Sequence, residues 1–273
     1  MSAPDDLRLP PGETVTPERA GWRYLSFAVH DLSAPMEVGG PGVETAVIIL
    51  AGGGARVGEL DLPGRASVWD GLPSAAYLPP GVAATVSPSD EFVTIAVANA
   101  PASGRATADA PVRIGPEDIR TEVRGAGNAT RQINHIIAPD FPADRLEVVE
   151  VYTPSGNWSS WPPHKHDTDD LPNEAVLEEI YSYRFRRPEA WGVQRLYRAD
   201  GSRDLLWAVR EGETVLVTDG YHPFVATHGD DAYYLNALAG DVRTMAASFD
   251  PNLAAVMDSW ADLTPDPRVQ LVR

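Results

Sequence analysis

Trp158-Ser-Ser-Trp-Pro-Pro-His164-Lys165-His166-Asp-Thr-Asp-Asp170 is the most informative stretch of the 273-residue chain. Successive side chains of an extended strand point to opposite faces, so His164 and His166 can present two imidazoles to one cation while Lys165 points away. A His-x-His pair also occurs on solvated loops, and Asp167, Asp169 and Asp170 would suit such a loop, so the pair alone decides little. Further donors give it weight. Glu179 opens the run Glu179-Ile-Tyr-Ser-Tyr-Arg-Phe185, whose alternation puts Glu179, Tyr181 and Tyr183 on one face. His222 follows the Gly220 turn, where another apolar run begins. Three imidazoles and a carboxylate suit Zn²⁺, Mn²⁺, Fe²⁺ or Ni²⁺ and leave coordination positions for water or substrate. His30, His135 and His228 lack such company and read as structural or surface residues.

Outward from this segment, 25 prolines and 23 glycines divide the chain into short β-favouring runs. In the first half these are Trp22–Val29, Thr45–Leu50, Ala66–Trp69, Ala75–Leu78, Ala83–Val86 and Phe92–Ala98. In the second they are Leu146–Tyr152, Ile180–Phe185, Gly192–Tyr197, Leu205–Val209, Thr214–Val217 and Asp231–Leu235. Many short strands at this spacing predict an all-β sandwich or barrel. Helices are expected only at Leu171–Glu178 and at Pro251–Trp260, where Asp250 can cap and Pro251 occupy the first turn. Pro101–Gly127, rich in Ala, Gly, Pro and charge, reads as a connection between two β units, with the boundary near residue 125. The segments after Gly71 and after Gly212 share a turn, an apolar strand and a second glycine turn, which suggests duplication. Aligning Gly81 with Gly220 sets Ala83 opposite His222.

Composition narrows the function classes. Twenty-two basic against 39 acidic residues give a formal net charge of −17, which repels phosphate backbones and anionic bilayers and argues against nucleic acid or membrane partners. With no cysteine, thiolate nucleophiles, iron–sulfur clusters and cysteine-ligated zinc are excluded. Met1–Pro11 lacks the apolar core of a secretory signal, so a cytoplasmic location is expected.

The pattern resembles the cupins, whose two motifs are a glycine, His-x-His and a glutamate, then a turn and a third histidine. Gly156, His164, His166, Glu179, Gly220 and His222 stand in that order. Twelve residues separate His166 from Glu179, more than cupins usually have, which keeps Glu174 and Glu178 open as the carboxylate. Thr218 stands where the turn's proline usually lies.

More narrowly, the chain is similar to the 5-deoxy-glucuronate isomerases of myo-inositol catabolism, relatives of the 4-deoxy-5-threo-hexosulose-uronate ketol-isomerases. The similarity rests on Ser160-Trp-Pro-Pro-His-Lys-His-Asp167, Glu178-Glu-Ile-Tyr-Ser-Tyr-Arg184, Gly192-Val-Gln-Arg-Leu-Tyr197, Val215-Leu-Val-Thr-Asp-Gly-Tyr-His-Pro223 and Tyr233-Tyr-Leu-Asn-Ala-Leu-Ala-Gly240. It continues through Gly125–Ile133 and, more weakly, Leu78-Pro-Pro-Gly81. It implies a bicupin: a cupin-like domain over 1–125 without metal ligands and a metal-binding domain over 126–273. It also implies aldose–ketose isomerisation of 5-deoxy-D-glucuronate to 5-dehydro-2-deoxy-D-gluconate, with His164, His166, Glu179 and His222 holding a divalent metal.

On that reading Glu179 is the available base and Tyr183 a proton relay, and a hydride shift would need neither. Arg131 is the expected partner of the substrate carboxylate because a guanidinium binds it bidentately. Gln194, Tyr234 and Asn236 are expected polar contacts, and a homo-oligomer is expected by analogy with other cupins. The rival classes are a cupin dioxygenase with the same ligands and a non-catalytic sugar-binding cupin.

Overall fold

The computed structural model describes residues 7–273; of the Met1–Pro11 stretch, residues 1–6 lie outside the described residues. Antiparallel strands dominate. In the N-terminal half the 15-residue strand Val43–Val57 organises an eight-stranded sheet. Its Val43–Gly52 part pairs with Val93–Pro101, with Ala75–Leu78 on the opposite edge, and its Ala55–Val57 end is flanked by Leu60–Arg65 on one edge and Ala83–Pro88 on the other. Val38, Val47, Ile49, Val86, Val93 and Ile95 fill the interior of this half.

The C-terminal half is built on a seven-stranded sheet. Its order is Arg8–Leu9, Thr214–Val217, Leu177–Phe185, Ala232–Gly240, Leu146–Thr153, Arg131–Ile137 and Arg120–Arg124. Trp158–Ser159, Phe224–Ala226, Trp191–Tyr197 and Asp204–Arg210 form a four-stranded sheet. The expected boundary near residue 125 falls inside the hairpin Arg120–Arg124/Arg131–Ile137, both strands of which belong to the seven-stranded sheet.

Every residue of Leu146–Thr153 and Ala232–Gly240 is buried, because the large sheet is covered on both faces. One face of Leu146–Thr153 meets the N-terminal half, where Arg65 Nη2 donates to Glu150 Oε2 at 2.9 Å and Trp69 packs edge-on against Tyr152. The other face carries Val149 and Val151 into the cavity described below.

The halves also clasp each other reciprocally. Glu44, near the start of Val43–Val57, accepts the backbone N–H groups of Asp144, Arg145 and Leu146. Glu178, near the start of Leu177–Phe185, accepts those of Arg23, Tyr24 and Leu25. Each buried carboxylate thus satisfies donors at the entry to the other half's sheet, where unpaired N–H groups would be costly.

The expected strand Trp22–Val29 begins only at Ser26, the expected connection Pro101–Gly127 contains the strands Val112–Ile114 and Arg120–Arg124, and three further elements differ. Ala66–Trp69 is not a strand: the Ser67 hydroxyl accepts from the Trp69 N–H and donates to Asp70, while the Asp70 N–H returns to the Ser67 carbonyl, closing a turn. Leu171–Glu178 is not a helix. The Asp170 N–H bonds the Glu174 carbonyl, and the Glu174 carboxylate accepts from the Asp167 and Thr168 N–H groups, so the segment folds back before joining the strand at Leu177. The terminal helix is 3₁₀ and begins later, at Ala254–Asp262. Asp250 still caps the preceding turn, its carboxylate accepting from the Asn252 N–H. No helix among the described residues is long and apolar enough to cross a membrane.

Candidate metal centre

His164 and Lys165 form a short strand that pairs with Ser248–Phe249, and its alternation turns Lys165 away from the histidines. Lys165 Nζ donates to Asp167 at 2.6 Å and to Glu174 at 2.8 Å. Asp167 in turn accepts from the Gly220 N–H at 2.7 Å. The long insertion between His166 and Glu179 therefore ties the His-x-His strand to the turn that carries His222. Gly220 is required in that turn: it has φ +85°, and a Cβ there would lie 2.5 Å from the Tyr197 carbonyl oxygen.

These supports bring one ring nitrogen each of His164, His166 and His222 within 4.8 Å of one another, a grouping that could hold a metal ion. Glu179 completes the cluster. Its Oε2 lies 2.8 Å from His166 Nε2 and 3.2 Å from His222 Nε2.

Hydrogen bonding shows what this cluster needs. His166 Nδ1 lies 2.9 Å from the Leu177 carbonyl and His222 Nδ1 lies 3.0 Å from the Gly220 carbonyl. A carbonyl only accepts, so each Nδ1 carries hydrogen, and a ring in its neutral form turns an Nε2 lone pair towards Glu179. Lone pairs and a carboxylate oxygen at these separations repel unless positive charge lies among them. His222 Nε2 is buried without a hydrogen-bond partner. Asn236 Nδ2 donates to the other carboxylate oxygen, Oε1, at 2.6 Å and fixes the carboxylate's orientation. The donor set fits a divalent cation.

Electrostatically the donors differ from one another. Burial pushes His164 well below the usual imidazole range, and its two histidine neighbours push the same way, so it stays neutral. Burial also opposes charge on His166, but the Glu179 carboxylate outweighs it and raises the imidazole above its usual range. Although burial alone would raise Glu179, His166 and His222 hold it well below the ordinary carboxylate range.

The cluster borders a cavity that also exposes Arg131, Ser160, Tyr181, Tyr234, Asn236 and Arg124. Arg131 is 7% exposed and donates to the Ala129 and Trp161 carbonyls rather than to a carboxylate. Burial lowers its guanidinium to about 10, with Arg124 adding to the effect. Arg131 thus lines the cavity as a buried cation with no ion-pair partner among the described residues.

Tyr183 and Gln194 stand behind this wall. The Tyr183 hydroxyl bonds the Gln194 side chain, whose Nε2 donates to the His222 carbonyl at 2.8 Å. Glu174 and Glu178 lie outside the cluster, one bound to Lys165 and the other to the Arg23–Leu25 backbone. His30 lies on Ser26–Leu32, His135 bonds Glu122 at 3.0 Å, and His228 lies beside Arg187 and Asp230.

Sequence reasoning passed over Arg124 and Ser160. Arg124 pairs directly with Arg131 across the hairpin, a register that Gly125–Ile133 does not reveal without the turn geometry. Ser160 adopts φ +52°, which its neighbours' residue types do not announce. Tyr181 was detectable, because strand alternation sets it beside Glu179.

The profile of the KduI/IolB family matches residues 10–256. A 5-deoxy-glucuronate isomerase of Geobacillus kaustophilus is 39% identical over 254 residues, covering 90% of each chain. One from Listeria monocytogenes is 33% identical over 266 residues, 92% of this chain and 96% of the relative. Among solved structures, an IolB-like protein from Salmonella typhimurium superposes with a TM-score of 0.84 at 33% identity, covering 90% of this chain and 94% of that one. A Lactobacillus farciminis oxalate decarboxylase superposes with a TM-score of 0.64 at 12% identity, over 95% and 94%, and shares the fold alone. With the family profile spanning most of the sequence and relatives at this identity matching along nearly their whole length, the chain belongs to the KduI/IolB family.

Proposed function

We propose that this protein is a metal-dependent aldose–ketose isomerase that converts 5-deoxy-D-glucuronate to 5-dehydro-2-deoxy-D-gluconate. The observation that carries this reading is one cavity with a cation-demanding donor cluster and an uncompensated guanidinium, Arg131. Such a cavity suits a sugar with a carbonyl at one end and a carboxylate at the other. The relatives' shared name, 5-deoxy-glucuronate isomerase, supports the same assignment.

A divalent ion held by His164, His166, His222 and Glu179 would polarise the carbonyl and the neighbouring hydroxyl of the open-chain sugar. Zn²⁺, Mn²⁺, Fe²⁺ and Ni²⁺ all suit that donor set. Arg131 takes the substrate carboxylate, and Tyr234 and Asn236 line the path between the two ends. Glu179 is the carboxylate that lines the cavity and serves as the base if a proton moves between the two carbons. Tyr183 and Gln194 act through the His222 backbone and position that ligand. On this reading the domain over 1–125 contributes no metal ligand and the domain over 126–273 binds the metal, with Arg120–Arg124 of the first completing the sheet of the second. We place the enzyme in the cytoplasm as a homo-oligomer, with exposed Trp191 and Leu206 among the apolar surface available for self-association.

The test is an anaerobic NMR assay of the metal-loaded protein with 5-deoxy-glucuronate. Conversion to the ketose without oxygen is the expected result. Saturable binding without turnover, or turnover only with oxygen uptake, would overturn the assignment.

A further inference from the structure

Aldose–ketose isomerisation moves more than the hydrogen between two carbons. Whether that hydrogen crosses from C2 to C1 as a proton or as a hydride, a proton must also leave the C2 hydroxyl and one must arrive on the C1 oxygen. The cavity contains a hydroxyl pair suited to that second transfer.

Tyr181 is two residues beyond Glu179 on the same strand face and lines the cavity with it. Its hydroxyl lies 2.7 Å from Ser160 Oγ, and either oxygen can donate. The ring stacks on Tyr234 with centroids 4.4 Å apart and planes within 4°, while the Tyr234 hydroxyl is engaged separately by Ser159 at 2.6 Å. The Tyr181 hydroxyl therefore has a fixed position. The ring also lies beside the metal cluster, its centroid 5.9 Å from that of His222 in a T-shaped contact.

Ser160 supplies the second observation. It has φ +52°, a left-handed conformation that it shares with only one other non-glycine among the described residues, Gln270. Glycine would adopt this backbone without steric penalty. A serine here keeps a hydroxyl in the cavity at the expense of backbone strain, a pattern that clusters at functional sites.

We propose that Tyr181 and Ser160 are catalytic residues forming a hydroxyl relay that carries the proton from the substrate's C2 oxygen to its C1 oxygen. The proton on O2 passes to one relay hydroxyl as that hydroxyl's own proton passes to the second, whose proton reaches O1. The O2–H electron pair becomes the new C2=O2 π bond as the C1 carbonyl π pair takes up the arriving proton. Each relay hydroxyl breaks one O–H bond and forms another, so neither changes charge and no co-reactant is needed. The inference rests on the isomerase reading and deepens it.

The experiment compares metal-loaded wild type, Tyr181→Phe and Ser160→Gly for kcat, KM, bound metal, heat stability and solvent kinetic isotope effect. General acid–base groups contribute roughly 10²–10⁴-fold. Each variant should lose about 100-fold or more in kcat and change its solvent isotope effect, with KM within about threefold and metal content unchanged. Ser160→Gly should be at least as heat-stable as wild type, because it relieves the left-handed strain. A kcat within about threefold of wild type in either variant would overturn the relay, as would a loss that follows lost metal. A wild type inert towards 5-deoxy-glucuronate would overturn the isomerase reading itself; an active wild type with unaffected variants would overturn the relay alone.

Discussion

Glu147 is the most exposed test of the electrostatics of this fold, although its carboxylate is 1% exposed to solvent. It lies on Leu146–Thr153 on the same face as Val149 and Val151 and opposite Leu238. Neither carboxylate oxygen has a hydrogen-bond partner. Arg243, whose charge opposes the effect, donates to the backbone carbonyls of Leu146, Phe141, Ala143 and Ala138 instead. Burial, only partly offset by Arg243 and His166, pushes the Glu147 carboxyl up from 4.5 to about 7. A raised acid favours the folded state at low pH and penalises it once the unfolded chain can ionise. The penalty is absent below about pH 4.5, grows between 4.5 and about 7, and is constant above. At about 1.4 kcal/mol per pH unit, that gap amounts to about 3 kcal/mol. Glu147→Gln removes the titration while keeping the shape. Urea unfolding of both proteins across this range, in the same metal-saturated buffer, should show the variant gaining about 3 kcal/mol relative to wild type between pH 4 and 8. Parallel stability curves, or a relative gain that shrinks as pH rises, would refute the reasoning.

Three other substitutions follow from the same structure. Arg131→Met should reduce kcat/KM for the uronate by roughly 10–100-fold, chiefly through KM, as expected for loss of charge-assisted hydrogen bonds; steady-state kinetics check it. Arg65→Met strands Glu150 at the interface between the halves and should destabilise by about 3–5 kcal/mol, measured by chemical unfolding, with much of the loss recovered in Arg65→Met/Glu150→Gln. Lys165→Met removes the link from the His-x-His strand to Asp167 and Glu174 and should weaken metal affinity by about 10–100-fold, measured by competition with a chromophoric chelator.

The sequence revealed most where chemistry and periodicity coincide. His164 and His166 were legible because one residue between them fixes their common face, and His222 because a glycine turn announced a strand start. The all-β architecture followed from runs such as Ala75–Leu78 and Thr214–Val217, which are strands at the expected bounds. Where reading failed, a side chain competed with the backbone. Ser67 folded Ala66–Trp69 into a turn, and Glu174 drew Leu171–Glu178 back onto Lys165, interactions that propensity does not encode. The reciprocal clasp of Glu44 and Glu178 was also invisible, since each carboxylate caps N–H groups more than 95 residues away. Tyr183 and Gln194 have the right strand and face, but depth within the sandwich, not periodicity, separates them from the cavity.

The most direct measurement is the bound-metal content of purified wild type, His222→Ala and His30→Ala by elemental analysis, with β-structure checked by circular dichroism. Wild type and His30→Ala should each carry a single divalent ion per chain, and His222→Ala should fold but lose it. Wild-type metal content in a folded His222→Ala would contradict the metal centre described here.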